Sequence, residues 1–498
     1  MSREPGALRV FLFLLLTYAQ FFQNASWGSA SRFDLARALA EHGTIRIDAY
    51  HENTGDKAIA NGHTYTDKAP LPSFLAVPGI LLAHAIRNAT GLPASESVFL
   101  ALMGGLATVF ASGIVTAAGG ALFYRMLIES QVEAGIAWLA TVLTFLATPL
   151  FPYATLLQGH APAAAWLLAA FYFWLPASGA PSLRRAACGG AAASCAFATE
   201  YLTAIPLLVF AVVSLLRRSS DDPAMSLVPR PSGDAALTRV RRAFAMAVGA
   251  LPGFVLLGIY HRAAFGTPWT FGYQHVALPY FQEKMSTGLL GVHAPSPKIA
   301  LRLLIEPYRG LFPSSPLLFL AFPGLHFLLR ERGERLRAAL SLFTFIYYWM
   351  LNAGHATWHG GWAIGPRHMV SAIPMLGRGL VPALQLWPRA TALAGIISAI
   401  VMLAATAVGP EVPEDIVNPY SDHILPHFMA GDFSIGEQGF GELYPARIDP
   451  QQPDRWDAFL LGEALHLPKH AALLPIFLVW AALWPWRSRT WYKRSQEP

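Results

Sequence analysis

S-R-F-D-L-A-R-A-L-A-E-H-G at residues 31–43, R-I-D-A-Y-H-E-N-T-G-D-K at 46–57 and Y-T-D-K-A-P at 65–70 make up most of one polar block, 24–70, set between strongly apolar segments. Carboxylates, lysines and histidines are sparse elsewhere in the chain. Ionisable groups gathered beside a membrane are costly unless they bind charge or do chemistry. The block is therefore the first place to seek a site, and the apolar runs around it decide the fold.

The 498 residues are 54% hydrophobic and only 13% charged, about half the charge usual in soluble domains, roughly 25%. Apolar runs at 8–22, 98–124, 136–151, 161–175, 186–198, 202–216, 244–260, 315–329, 340–351, 369–386, 392–408 and 471–484 predict about twelve membrane helices, some short or broken. The fold class expected is an all-α, multi-pass helical bundle. The first run also has the length of a signal peptide; a retained helix is the reading adopted. Cys188 and Cys195, seven residues apart on one apolar helix, stand roughly 10 Å apart along its axis, too far for a disulfide. They read as small packing residues.

The net charge of +6 does not mark a nucleic-acid binder, because the basic residues flank the apolar runs. Arg125, Arg184-Arg185, Arg217-Arg218, Arg239, Arg241, Arg242 and the clusters at 330–337 and 487–494 fall on one side, which the positive-inside rule makes cytoplasmic. The polar block, the turn at 153–160, and the loops at 265–313, 354–367 and 409–470 then face outward. Residues 71–86 are apolar but hold Pro72 and Pro78; a crossing there would turn Arg125 and Arg184-Arg185 outward. That segment reads as a helix lying in the interface. The chain divides into 1–408, a transmembrane module with an outward loop at 24–96 and a cytoplasmic loop at 217–242; an outward loop at 409–470; and 471–498, a last span with a basic tail.

Within the block, Ser31 reads as the N-cap of an amphipathic helix. Phe33, Ala36, Leu39 and Ala40 form its apolar stripe, with Asp34, Arg37 and Glu41 on the polar side. Asp34 is either a carboxylate favoured by the positive helix start or a general base held at the membrane surface. In Asp67-Lys68-Ala69-Pro70, a lysine meets a helix-starting proline at the membrane edge; it either snorkels or grips a phosphate. Residues 359–368, H-G-G-W-A-I-G-P-R-H, form a Gly-rich turn whose Arg367 has the forked donors that suit phosphate. Histidines crowd the outward loops, and His160 and His359 stand where spans meet the outer face. Glu200-Tyr201 breaks the apolar run 186–216, and a carboxylate there is functional by default or pairs with a cation. Asp48 and Asp56 have no assigned role. No Walker or dinucleotide pattern occurs, and no histidine pair has finger-type zinc spacing.

The order of one span, a large outward loop with an acidic amphipathic helix, then aspartate-lysine-x-proline resembles the GT-C membrane glycosyltransferases. That superfamily includes protein O-mannosyltransferases and the aminoarabinose transferase that modifies lipid A. The motifs are confined to 31–70, 152–160 and 358–367. The resemblance implies a sugar donor on a polyprenyl phosphate, inversion at the anomeric carbon, and a lipid, glycan or protein acceptor at the outer face of a bacterial inner membrane. It makes Asp34 the base on the acceptor and Lys68 and Arg367 the grip on the lipid phosphate. Beside these, Asp67, His160, Glu200, Tyr201 and His359, with the unassigned Asp48 and Asp56, are held as supporting candidates. The family often has an aspartate in the second outward loop; here 153–160 has no carboxylate, and His160 stands in as metal ligand or hydrogen-bond partner. A divalent metal is left open, and no other cofactor is implied. The competing functions are a ligase or phosphoryl-type transferase using lipid-linked glycans, and a transporter or lipid flippase. Transporters usually carry midplane charges and repeated halves; this chain has external charges and no visible repeat.

Overall fold

The computed structural model describes residues 6–23, 26–92, 96–217, 233–288, 291–435 and 458–485. Of the expected features, Phe440 and Tyr444 in the 409–470 loop, most of the loop at 217–242 and the basic tail at 487–494 lie wholly or largely outside the described residues. What is described is overwhelmingly α-helical. Only two small two-stranded sheets occur among those residues, pairing Phe21–Phe22 with Phe459–Leu460 and Lys57–Ala60 with His63–Thr66.

Every apolar run in the sequence becomes a helix or a broken helix. Three helices, Val98–Glu129, Ala236–Phe265 and Pro388–Val408, are long and apolar enough to cross a membrane, and a bent pair, Arg367–Gly377 with Leu380–Leu386, makes a fourth. Ala7–Tyr18, Ala134–Leu146, Tyr201–Leu216, Leu317–Arg330 and Lys469–Leu483 are apolar but shorter. Proline and glycine shorten them: the run at 369–386 turns by 54° where Gly377 and Gly379 flank Arg378.

The first and last helices lie side by side. Arg9 donates to the carbonyls of Leu483 (2.8 Å) and Trp484 (3.1 Å), and Trp480 Nε1 to Thr17 Oγ1 (3.0 Å). At the bend, Arg378 pairs with Glu334 and donates to Ser341 Oγ at 2.9 Å, while Arg337 reaches Glu334 and Ser130, both at 2.8 Å. Both arginine side chains are 3% exposed; a charge buried this deeply is costly unless it is paired and hydrogen-bonded in this way. Small residues let Leu183–Thr199 and Gly233–Phe265 approach closely: a Cβ at Gly249 would fall 1.9 Å from the Ala187 carbonyl, the packing that membrane helices favour. Both cysteines are free.

Two expectations for the polar block need correcting. Its helix begins at Trp27, with Ser26 as N-cap; Ser31 is interior, and its hydroxyl bonds Thr66 at 2.6 Å. Nothing in W-G-S-A interrupts helical geometry, so the helix starts a turn earlier. Asp34 is not on a wet face but fully buried, because the turn at His51–Asn53 folds over it and Asn53 Nδ2 donates to it at 3.2 Å. The segment expected in the interface is one helix, Leu71–Thr90, packed between Trp27–His42 and Glu96–Thr108.

Candidate phosphate site at the helix ends

Lys68 is the centre of the first group. Its ammonium lies 3.0 Å from Asp56 and 3.1 Å from Asp67, and 5.5 Å from the centre of the Tyr273 ring. Asp56 reaches it because Thr54 Oγ1 ties the turn to the Trp27 carbonyl (2.8 Å) and accepts the Asp56 amide (2.9 Å). Burial pulls the Lys68 ammonium down, but the carboxylates of Asp56 and Asp67 outweigh it and hold it above the usual lysine range. Burial pushes Asp67 up to about 6 against the pull of Lys68, with Asp56 adding to the rise.

Glu200 is the centre of the second. It sits in the break between Leu183–Thr199 and Tyr201–Thr203 in an extended conformation. Its Oε1 lies 3.7 Å from Arg32 Nη2 and 3.5 Å from His160 Nδ1. A Cβ at Gly159 would fall 2.3 Å from that oxygen, so only glycine leaves room for it. Burial raises the Glu200 carboxyl even though Arg32, Lys68 and Arg367 all act to lower it. Arg32 is the cation within ion-pair reach of this carboxylate, and Lys68 and Arg367 act on it from farther away. Arg32 is 5% exposed, and its Nε, like that of Arg367, is buried without a hydrogen-bond partner among the described residues.

Arg367 comes from the Gly-rich turn. Gly360, at φ 76°, lets the guanidinium fold back: a Cβ there would meet Arg367 Nε at 2.8 Å. The turn is fastened by Arg309, which is fully buried. Arg309 donates to the carbonyls of His359 (3.1 Å), Gly361 (2.9 Å) and Val412 (3.4 Å). The imidazoles of His160 and His355 flank that of His368, with ring centres 5.6 and 5.1 Å apart. Burial, with Arg367 beside it, pushes His355 down to about 4, so it is neutral at pH 7. Among the described residues no group of three His, Cys, Asp or Glu side chains is arranged to hold a metal ion.

The structure therefore brings Lys68, Asp67, Asp56, Glu200, His160 and Arg367 together and leaves other candidates outside. Asp34 follows Arg32 by two residues, on the other side of the helix. Asp48 is taken by the hairpin: it accepts from the Thr64 amide (2.7 Å) and lies 2.8 Å from His63. Tyr201 bonds His261 (3.0 Å) and packs on Phe271. His359 accepts the Gly361 amide (3.0 Å) and faces Glu414 (3.3 Å), closing the turn.

Sequence reasoning missed Arg32, Arg309 and Glu411. Glu411 accepts from the Ser26 amide (2.9 Å), the Ser26 hydroxyl and Gln158 Nε2 (2.5 Å), within the field of Arg367. Its signal was a carboxylate three residues beyond the end of the apolar run 392–408.

No family model matches the chain, and no curated protein matches it in sequence. Two solved structures are similar in arrangement, both of ArnT from Cupriavidus metallidurans. The apo state is 16% identical, covering 96% of this chain and 73% of that one, at a TM-score of 0.47. The state bound to undecaprenyl phosphate is 16% identical, covering 96% and 74%, at 0.48. Neither likeness assigns a residue or an activity to this chain.

Proposed function

We propose that the chain is a GT-C-type glycosyltransferase with about twelve spans in a bacterial inner membrane. In this reading it transfers a sugar from a polyprenyl phosphate to a lipid, glycan or protein hydroxyl at the outer face. The observation that carries the reading is the crowding of Arg32, Lys68 and Asp56 around Gly28, with the Nε groups of Arg32 and Arg367 buried and unpartnered among the described residues. Buried donors of this kind call for an anion with several oxygens, and a phosphate supplies them.

In the reaction, the bond from the anomeric carbon to the phosphate oxygen breaks, and the phosphate leaves with the electron pair. Lys68, Arg32 and Arg367 stabilise the charge that develops there. The acceptor oxygen forms the new bond to the anomeric carbon as a carboxylate removes its proton. Two carboxylates of the block compete for that role. Asp34 is the one expected from sequence. Asp56 has the geometry in its support: its side chain is 16% exposed and lies on Lys68, whereas Asp34 is fully buried and bonded to Asn53.

The experiment is transfer from a labelled undecaprenyl-phosphate sugar panel by the purified chain in lipid. Asp56→Asn should lower turnover at least a hundredfold, and Asp34→Asn less than tenfold. Asp34→Asn inactivating a well-folded chain while Asp56→Asn does not would restore Asp34 as base. No transfer from any lipid-phosphate sugar, with donor also unbound, would remove the glycosyltransferase reading.

A further inference from the structure

The cation cluster already contains an anion. Arg32, Lys68 and Arg367 face Asp56, Asp67 and Glu200, so charge within it is balanced before any ligand arrives. The three carboxylates are not equivalent. Asp56 and Asp67 are bound to Lys68 at hydrogen-bonding and ion-pair distances of 3.0 and 3.1 Å. Glu200 meets Arg32 and His160 only at 3.7 and 3.5 Å, longer than good charge-assisted bonds, about 2.7–2.9 Å. Nor does Arg32 depend on it for position, since its Nη1 is anchored on the Gly28 carbonyl at 2.8 Å. Glu200 is therefore a loosely held negative charge in a slot that Gly159 keeps open, beside cations with unused donors.

We propose that Glu200 is a specificity-determining residue: its charge sets how much negative charge a ligand phosphate brings into the seat. This rests on the function proposed above and adds a consequence to it. A polyprenyl-phosphate sugar is a phosphodiester with one negative charge. The product left after transfer is a phosphomonoester, which carries close to two above its second ionisation, near pH 6. Three cations facing three carboxylates accept one added charge through the free Nε donors. A second charge meets the repulsion of Glu200 with no cation left to offset it. The donor is thereby held and the spent lipid phosphate expelled, by a residue that takes no part in bond making.

The test compares undecaprenyl phosphate with its monomethyl ester, a diester without sugar, by equilibrium binding in detergent at pH 8 and pH 5.5. The titratable and charged groups around Glu200 are Arg32 from Trp27–His42, Lys68 before Leu71–Thr90, His160 from His160–Trp174, Arg367 from the Gly-rich turn and the phenols of Tyr201, Tyr273 and Tyr348, with Asp56 and Asp67 beside Lys68. All are shared by wild type and Glu200→Gln, so the ratio of the two dissociation constants isolates Glu200. At pH 8 the wild type should bind the diester about tenfold more tightly than the monoester, as expected of one partly screened unit charge at close range. At pH 5.5, where most of the monoester has lost its second charge, that preference should fall below threefold. In Glu200→Gln it should be below threefold at both pH values.

A merely structural Glu200 would weaken both ligands together and leave the ratio at pH 8 intact; that result overturns the inference while the phosphate site stands. If Glu200→Gln fails to fold, Gly159→Ala, which displaces the carboxylate, must lower the ratio below threefold, and an unchanged ratio refutes the idea. Failure of the wild type to bind either ligand removes the proposed function and this inference with it.

Discussion

Replacing Lys68 by methionine keeps the length of the side chain and removes the one ammonium shared by Asp56 and Asp67. Those carboxylates are 16% and 4% exposed. Breaking a buried pair by removing one partner destabilises by roughly 3–5 kcal/mol, because the remaining charge is left uncompensated. Here the loss depends on pH. Burial already raises Asp67 from 3.8 to about 6 with Lys68 in place, so the fold favours its protonated form. Stability from this group is full below the unfolded value and falls as pH rises through the folded one. Without Lys68 the folded value climbs further, and the falling range extends upward. The variant should thus lose less at pH 5.5, where Asp67 is mostly neutral and chiefly the pair with Asp56 is forfeited, than the roughly 3 kcal/mol lost at pH 8.5. At roughly 2 °C per kcal/mol for a large domain, that is a gap of about 6 °C in thermal unfolding in detergent. Adding Asp67→Asn to Lys68→Met should close most of it. A gap that is the same at both pH values, or unaffected by Asp67→Asn, would falsify the shared-ammonium account.

Glu411 gives a second pH signature. Burial pushes it up to about 7 against the hydrogen bonds from Ser26 and the pull of Arg367. The fold again favours the protonated form, so stability is lost as pH rises from about 4.5 through 7, on the order of 3 kcal/mol when complete. Glu411→Gln should flatten the fall in unfolding temperature between pH 6 and 8.5, and an unchanged slope counts against it. Arg309→Lys keeps the charge but loses the fork that spans three carbonyls. It should destabilise by about 1–3 kcal/mol and weaken phosphate binding about tenfold by loosening the turn that carries Arg367; unaltered stability and affinity would contradict that role.

Much of the helical plan was legible because membrane spans declare themselves by composition alone. The reading that some runs are short or broken is met in the bent pair at 367–386 and the shorter apolar helices. Glycine at 377 and 379 breaks a run, 369–386, that hydropathy averages into one helix. Within the site, Lys68, Glu200 and His160 stood out because a charge beside an apolar run is costly and therefore conspicuous. Asp34 drew attention for the same reason, yet helix rotation places it away from Arg32, and spacing in the sequence gave no hint of the turn that buries it. Asp48 and Asp56, eight residues apart, looked alike; only the fold gives one to the hairpin and the other to Lys68. Ser26 and Glu411 are 385 residues apart, and no local pattern announces a pairing across that distance. Arg309 carries no local mark in the sequence, since its partners are backbone carbonyls about 50 and 100 residues away.

The central claim is that Lys68 and Arg367 hold a lipid phosphate, and native mass spectrometry of the chain purified in mild detergent measures this directly. The wild type should retain a polyprenyl phosphate or its glycosylated form in preference to bulk phospholipid, and Lys68→Ala or Arg367→Ala should lose it while remaining folded. Bulk phospholipid alone on the wild type, or equal retention of polyprenyl phosphate by all three proteins, would contradict the account.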